Sequence, residues 1–192
     1  YRSSRGLGDV YKRQALLDEN FKNLIEIESR IGAVPNPIIR LSTLIGSSLE
    51  KTNHFINSFP LSKTDSTELL KLSSLNKKIV SYLSMKEVRY LLYKLGKTEF
   101  QNQIIINWSR DTQNKNEVNW RSLYEVADNW TKPDFGISAK DIINMGIEQG
   151  PMVGRIMSEV EDWWAENDFI DDKFSLIAVS YTHLTLPTST HV

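Results

Sequence analysis

The sequence contains no cysteine in 192 residues, which excludes disulfide bonds and metal sites built on thiolates. Histidine is scarce as well, because His54 is the only one in residues 15–178. A single histidine is too few for a His-dependent catalytic triad or for a zinc site that uses several imidazoles. We expect His54 in a loop or on the surface, and we expect this chain to bind no metal.

Long apolar runs are also missing, since no stretch approaches the roughly 20 residues that span a membrane. We therefore expect no membrane association, and the lack of cysteine fits a cytoplasmic location. No glycine-rich phosphate loop of the Walker type occurs. The acidic residues of EVEDWWAEND and the pair Asp171-Asp172 lie on or just after a predicted helix. Carboxylates that hold Mg²⁺ for phosphoryl transfer commonly stand at strand ends instead, so no catalytic residue and no cofactor is assigned.

The two ends of the chain read as additions to the natural protein. Residues 9–14, DVYKRQ, can be encoded GAT GTG TAT AAG AGA CAG, and the opposite strand in a shifted frame encodes VSYTH, residues 179–183. Both ends also resemble translated adapter sequence from a transposon-made sequencing library. We predict that residues 1–14 and 179–192 are disordered, adapter-derived flanks around a gene fragment. The alternative is a natural pair of disordered tails.

Helix-capping residues and hydrophobic spacing predict an all-α fold, because no convincing period-2 run occurs. We predict a helical body at residues 15–130 and a C-terminal helical tail at residues 131–178, with the proline and glycine of residues 131–136 as the connection. The boundary signals are Asp18 and Gly32 around the first helix, Asn36-Pro37 and Gly46 around the second, Ser62-x-x-Asp65, Ser84-x-x-Glu87 and Thr98-x-x-Gln101 at later starts, and Gly96 between the last two.

Residues 138–164 predict a hairpin of two helices at the end of the fold. The short helix starts with Ser138-x-x-Asp141 and ends at Gly146, and Gly150-Pro151 starts the long one. Glycine allows a tight turn and a close approach of the two helices. The start of the long helix, with Arg155 one turn in, can hold a phosphate, and a packed hairpin without a ligand explains the pattern equally well. The predicted core stripe of the long helix is Met152, Ile156, Val160, Trp163 and Trp164.

Charge is distributed unevenly along the chain. Residues 71–97 contain seven basic side chains and one acid, Glu87, whereas residues 133–178 contain ten acids against Lys140, Arg155 and Lys173. The residues outside the flanks are net acidic, which excludes a uniformly basic nucleic-acid binder but leaves room for a local basic face. A solvated helix face is the alternative explanation of the basic run.

Three stretches resemble the C-terminal half of CCA-adding tRNA nucleotidyltransferases of the bacterial poly(A) polymerase-like group, in an alphaproteobacterial variant. They are LLYKLGKTEFQNQIIINWS at 91–109, NWRSLYEVADNW at 119–130 and PDFGISAKDIINMGIEQGPMVGRIMSEVEDWWAENDF at 133–169, and residues 27–46 also fit. Gly146, Gly150, Pro151 and Gly154 match the family pattern, whereas Ser138 replaces its usual glycine. The likeness is looser at residues 47–80.

The resemblance implies a tRNA-binding body and tail whose catalytic head is missing from this chain. The family's head carries a strand-borne Asp-x-Asp pair for Mg²⁺, and its neck carries a Glu-Asp-x-x-Arg template for CTP and ATP. Neither motif is present, and Arg110-Asp111 is too short a likeness to count. The parent would be a transferase, and the fragment alone is expected to be inactive. The family binds the tRNA elbow and acceptor arm, so the expected RNA-binding residues are Lys77, Lys78, Lys86, Arg89, Lys94, Lys97 and Arg155.

Two other functions fit parts of the sequence. MGIEQGPMVGRI loosely resembles a helix-hairpin-helix DNA-binding module, although the long acidic final helix and the likeness outside residues 138–154 argue against it. A non-enzymatic helical scaffold that binds protein partners is the other alternative.

Overall fold

The computed structural model of the chain describes residues 19–73, 79–111, 116–170 and 175–179. Every regular element in these ranges is a helix and none is a strand, so the predicted all-α fold is confirmed. Several sequence-based predictions concern residues outside the described ranges: the flanks at 1–14 and 180–192, Asp18, Lys77, Lys78, Asp171 and Asp172. Val179, which the sequence assigned to the C-terminal flank, is described and packs against the core around α9, the long helix defined below.

The helices follow one another with short connections. In chain order they are α1 (19–31 within the described chain), α2 (Pro37–Ile45), α3 (Leu49–Ser58), α4 (Lys63–Ser73), α5 (Met85–Leu95), α6 (Lys97–Arg110), α7 (Glu117–Val126) with the 3₁₀ turn Ala127–Asn129, α8 (Ala139–Asn144), α9 (Pro151–Glu166) and α10 (175–179).

The chain forms two compact units. The first contains Tyr1–Leu83 and Lys97–Asn129, and the second contains Ser84–Gly96 and Trp130–Val192. The sequence-based division also has a boundary near residue 130, but it assigned α5 to the helical body. In the structure α5 belongs to the second unit, where it packs against α9.

The core of the first unit is built around α6. Phe100, Ile104 and Trp108 recur every four residues on one face of this helix, and each is at most 1% exposed. The β-branched run at residues 104–106 stays helical because burial of a helical face outweighs the small propensity cost of isoleucine. Helix α7 packs on α6 and buries Trp120 and Leu123.

The core of the second unit is built around α9. Val153, Ile156, Val160 and Trp164 are buried along one stripe of this helix. The predicted stripe is therefore wrong at Met152, which is 48% exposed. Because the stripe begins at Val153 and continues at spacings of three and four, the position before it lies about 100° around the helix.

Most predicted helix boundaries are confirmed by their caps. The Asn36 side chain accepts from the amides of Ile38 and Ile39, and the capping box of Ser84 and Glu87 is complete. The predicted box at Thr98-x-x-Gln101 is wrong, because α6 already begins at Lys97. The Gln101 amide instead donates to the Tyr124 carbonyl and to the Asp128 carboxylate across the unit.

Helix α3 was not predicted from the sequence. It buries only Thr52, so its hydrophobic signal is weak, although Ser48 caps its start by accepting from the Lys51 amide. His54 lies exposed on this helix, which confirms a surface position but not a loop.

Candidate nucleic-acid interface

The hairpin of α8 and α9 forms where the sequence placed it. The Asp141 carboxylate accepts from the Ser138 amide at 2.8 Å and from the Ser138 hydroxyl at 2.7 Å, and Pro151 occupies the first turn of α9. Gly146 has a φ of +91°, a conformation that side chains disfavour, so glycine is required there. Close helix approach does not explain Gly154, because a Cβ at this position would have no atom within 4 Å. The expectation that the glycines bring the helices together is therefore wrong at this position.

The start of α9 carries one basic side chain. Gly150 provides no side-chain cap, so the first amides of the helix have no side-chain acceptor from the N-cap. Arg155 is exposed and its Nε lies 3.8 Å from Glu159 on the next turn of the same helix. This pair is exposed and weak, so Arg155 is available to an anion at modest cost.

Arg89 on α5 makes the strongest ion pair of the second unit. Its Nε and Nη2 donate to the two carboxylate oxygens of Asp168 at 2.6 and 2.5 Å. The hydrogen bond from Arg89 holds the pKa of Asp168 below its usual range, with further help from the charges of Arg89 and Lys86. Two of the guanidinium donors are therefore already in use.

Asp168 is held in an unusual backbone conformation by the end of α9. Its φ is +64° and that of Phe169 is +61°. The amide of Phe169 donates to the Trp164 carbonyl at 3.0 Å and that of Asp168 to Ala165 at 3.3 Å, which is the Schellman pattern of helix termination. Glycine usually fills the left-handed position, so an aspartate there implies a compensating contact, and Arg89 supplies it.

Lys94 and Tyr93 bind the acidic side of α9. The Lys94 ammonium pairs with Asp162, and the Tyr93 hydroxyl donates to Glu161 at 2.5 Å. Burial raises the pKa of Tyr93, and the hydrogen bond to Glu161 raises it further. Asp162 of α9 is therefore a partner of a basic residue of α5 in the same unit, and Glu161 is a partner of Tyr93.

The remaining predicted RNA-binding residues differ in their surroundings. Lys97 lies in the first unit and pairs with Asp128 at 2.9 Å, a contact that lowers the pKa of Asp128. Lys86 is exposed on α5 and forms no ion pair among the described residues. Lys77 and Lys78 lie outside the described residues.

The basic run at residues 71–97 is therefore not a single open surface. Its described members fall in both units, and three of them already bind acids. The described part of the second unit contains six basic and nine acidic side chains. Any nucleic-acid contact made by this unit must be local, because its overall charge repels phosphate.

The first unit contains a pocket of about 620 Å³ that was not predicted from the sequence. Arg110 at the end of α6 is half-buried there, and burial lowers its pKa. Asp111 beside it accepts from the Trp120 indole nitrogen at 2.9 Å. The lining residues are Ser47, Leu72, Ser73, Ile79, Val80, Ser81, Tyr82, Gln103, Asn107, Arg110, Asp111, Asn116 and Trp120. The only sequence signal for this site was an arginine at the end of a helix that has an apolar face.

The described ranges contain neither a candidate metal cluster nor a candidate membrane span. No group of three or more histidine, aspartate or glutamate side chains there is placed to hold a metal ion. No helix in the described part of the chain is both long enough and apolar enough to cross a membrane.

Comparison with known proteins adds no family assignment. Neither a protein-family model nor a curated protein sequence matches this chain.

Proposed function

We propose that this chain is the tRNA-binding C-terminal portion of a tRNA nucleotidyltransferase that adds or repairs the 3′ CCA end, acting in the cytoplasm. The observation that carries the proposal is the hairpin at residues 138–166. Its turn contains Gly146 with a φ of +91° and Pro151 at the helix start, two of the residues that the family pattern shares with this sequence. The all-α architecture on both sides of the hairpin fits the helical body and tail of that family.

Among the described residues expected to bind RNA, the side chains most available to phosphates are those of Lys86 and Arg155. Lys77 and Lys78 stay in the proposed set on the sequence alone. Arg89, Lys94 and Lys97 contribute less, because binding a phosphate would compete with their acidic partners. Duplex RNA is recognised mainly through phosphates, 2′-hydroxyls and shape, so a few lysines suffice for weak binding. The tRNA elbow and acceptor arm are the proposed ligand.

Weak and salt-sensitive tRNA binding is the first expected result. With about four lysine–phosphate contacts, log K should fall with log salt at a slope near −3 to −4. The triple variant Lys77→Ala, Lys78→Ala and Lys86→Ala should flatten this slope by about 2 to 3 units, because each contact releases close to one counterion. Fluorescence anisotropy of labelled tRNA over a salt series measures the slope.

The control is a second triple variant with the same change of charge. Lys22, Lys51 and Lys63 are exposed, lie outside the basic run and form no ion pair in the described chain. Their replacement by alanine should leave most of the slope in place. Equal slopes for the two triple variants, or tighter binding of duplex DNA than of tRNA, would reject the proposal and favour a helix-hairpin-helix DNA-binding module.

No nucleotide incorporation is expected from this chain alone. In the proposed parent, the Mg²⁺ ions, CTP and ATP are bound by the head and neck, whose motifs do not occur in this sequence. Incubation of the chain with tRNA that lacks its 3′ end, Mg²⁺ and labelled CTP and ATP tests this expectation. Incorporation that persists in an independently purified sample would mean that the active site lies in these helices, and the division of labour proposed here would be wrong.

A further inference from the structure

The pocket beside Arg110 has the composition of a ligand site. Its volume of about 620 Å³ lies within the range of small-molecule sites in proteins. Its lining combines the buried apolar residues Leu72 and Ile79 with polar side chains. All of the lining residues belong to the first unit, so the pocket is formed within one compact body.

The charge of Arg110 is half-buried in this pocket. No carboxylate lies within ion-pair distance of it among the described residues, and the adjacent Asp111 is bound to the Trp120 indole. The carbonyl groups at the end of α6 stabilise the cation in part, but they carry no net charge. A partly buried guanidinium without an ion-pair partner among the described residues favours an anionic ligand.

The remaining polar groups fit a planar ligand with hydrogen-bonding edges. The Asn116 side chain makes no cap hydrogen bond. Among the described residues, the Asn107 amide donates to the Gln103 carbonyl, which leaves its oxygen as an acceptor. Tyr82 is 78% exposed at the pocket and offers an aromatic face on which a base can stack.

We propose that this pocket binds a nucleoside monophosphate unit, with its phosphate on Arg110 and its base between Tyr82 and the amides of Asn107 and Asn116. The unit is either a free mononucleotide or one nucleotide of single-stranded RNA, because both present the same groups. Only the second source rests on the proposed tRNA-binding function. The proposed site uses no metal and none of the residues expected to bind tRNA.

Calorimetry with the full chain tests the site with four ligands: AMP, adenosine, inorganic phosphate and a short single-stranded oligoribonucleotide. AMP should bind at least about tenfold more tightly than adenosine, because a charge-assisted bond to arginine adds at least that much. AMP should also bind more tightly than inorganic phosphate, which cannot use Tyr82. Tighter binding of the oligonucleotide than of AMP would identify RNA as the source, and weaker or equal binding would identify the free nucleotide.

Arg110→Gln should weaken AMP binding about tenfold or more, and Arg110→Lys should restore part of it. The matched control is Arg121→Gln, since Arg121 is an exposed arginine of the same unit outside the pocket. Asn116→Ala, at an exposed position, removes a proposed contact to the base and leaves the charge of Arg110 unchanged. AMP should raise the melting temperature of the wild type but not of Arg110→Gln.

Absence of saturable binding of both AMP and the oligonucleotide would overturn the site, and so would equal AMP affinities of the wild type and Arg110→Gln. If Arg110→Gln fails to fold, an unchanged AMP affinity in both Arg110→Lys and Asn116→Ala has the same meaning. AMP binding is measured without tRNA, so its failure leaves the proposed tRNA function standing. Equal tRNA salt slopes of the two triple lysine variants, with AMP binding intact, would instead reject only the proposed function.

Discussion

Replacement of Trp164 by alanine should lower the free energy of unfolding of the second unit by about 3–5 kcal/mol, the usual range for a buried tryptophan. Trp164 is 4% exposed, and its ring lies 5.0 Å from Phe169, 5.4 Å from Phe135 and 5.9 Å from Tyr93 between ring centres. Alanine would leave a cavity among three aromatic rings that are held by separate parts of the chain. Hydrogen exchange of the α5 and α9 amides, combined with urea unfolding, measures the loss.

Trp164→Phe is the matched control for this prediction. The Trp164 indole nitrogen is buried without a hydrogen-bond partner among the described residues. Phenylalanine keeps most of the buried ring and removes this unsatisfied donor, so the loss of the contact area is offset in part. We expect a change below about 1.5 kcal/mol. Comparable losses in the two variants would show that the ring cluster does not hold the unit together.

Asp168→Asn should destabilise the second unit by about 1–2 kcal/mol at pH 7, because it removes a bidentate, charge-assisted pair that is partly solvent-screened. The side chains of Arg89 and Asp168 are 35% and 22% exposed. Asparagine is a suitable substitute because it tolerates the left-handed conformation at φ +64° about as well as aspartate. Asp168→Gly should lose less than Asp168→Asn, since glycine relieves the backbone strain while losing the same pair.

The same pair makes stability depend on pH in a defined direction. The folded pKa of Asp168 lies below its unfolded value of about 3.9. Its contribution is therefore complete above about pH 4 to 5 and is lost as the pH falls through the lower folded pKa. Asp168→Asn should reduce the slope of stability against pH below about pH 4, which urea unfolding at several pH values measures.

Arg89→Gln closes a double-mutant cycle with Asp168→Asn. The two single changes and the double change should cost nearly the same, because each removes the same interaction. Additive costs would mean that the two side chains act independently, and the assignment of Arg89 to a structural contact would fail. A large effect of Arg89→Gln on tRNA affinity without any loss of stability would return this residue to the RNA-binding set.

Local signals in the sequence predicted the helix boundaries well. A helix cap forms between residues at most three positions apart, so a short stretch of sequence contains both partners. This holds for Asn36-Pro37, Ser84-x-x-Glu87 and Ser138-x-x-Asp141. Helix α3 was not predicted because it buries one residue, and a mainly exposed helix has little hydrophobic periodicity in its sequence.

The sequence pattern did not predict contacts between residues that lie far apart along the chain. The uneven distribution of charge did not indicate that Arg89 and Asp168, which are 79 residues apart, form a pair. The pocket at Arg110 was missed for the same reason, because its lining residues extend from Ser47 to Trp120. Periodicity indicates which face of a helix is buried, but it does not indicate which partner covers that face.

The placement of α5 in the second unit has a consequence for synthesis on the ribosome. The chain finishes this helix, returns to the first unit for Lys97–Asn129, and reaches the partners of α5 only at α9. At about 5–20 residues per second, the 68 residues between Tyr93 and Glu161 take roughly 3–14 s to make. During that interval the apolar face of α5 has no α9 to cover it, so a nascent chain stalled before α9 exposes a binding site for chaperones. The second unit therefore needs both α5 and the later helix α9, and its folding can finish only after α9 has been synthesised.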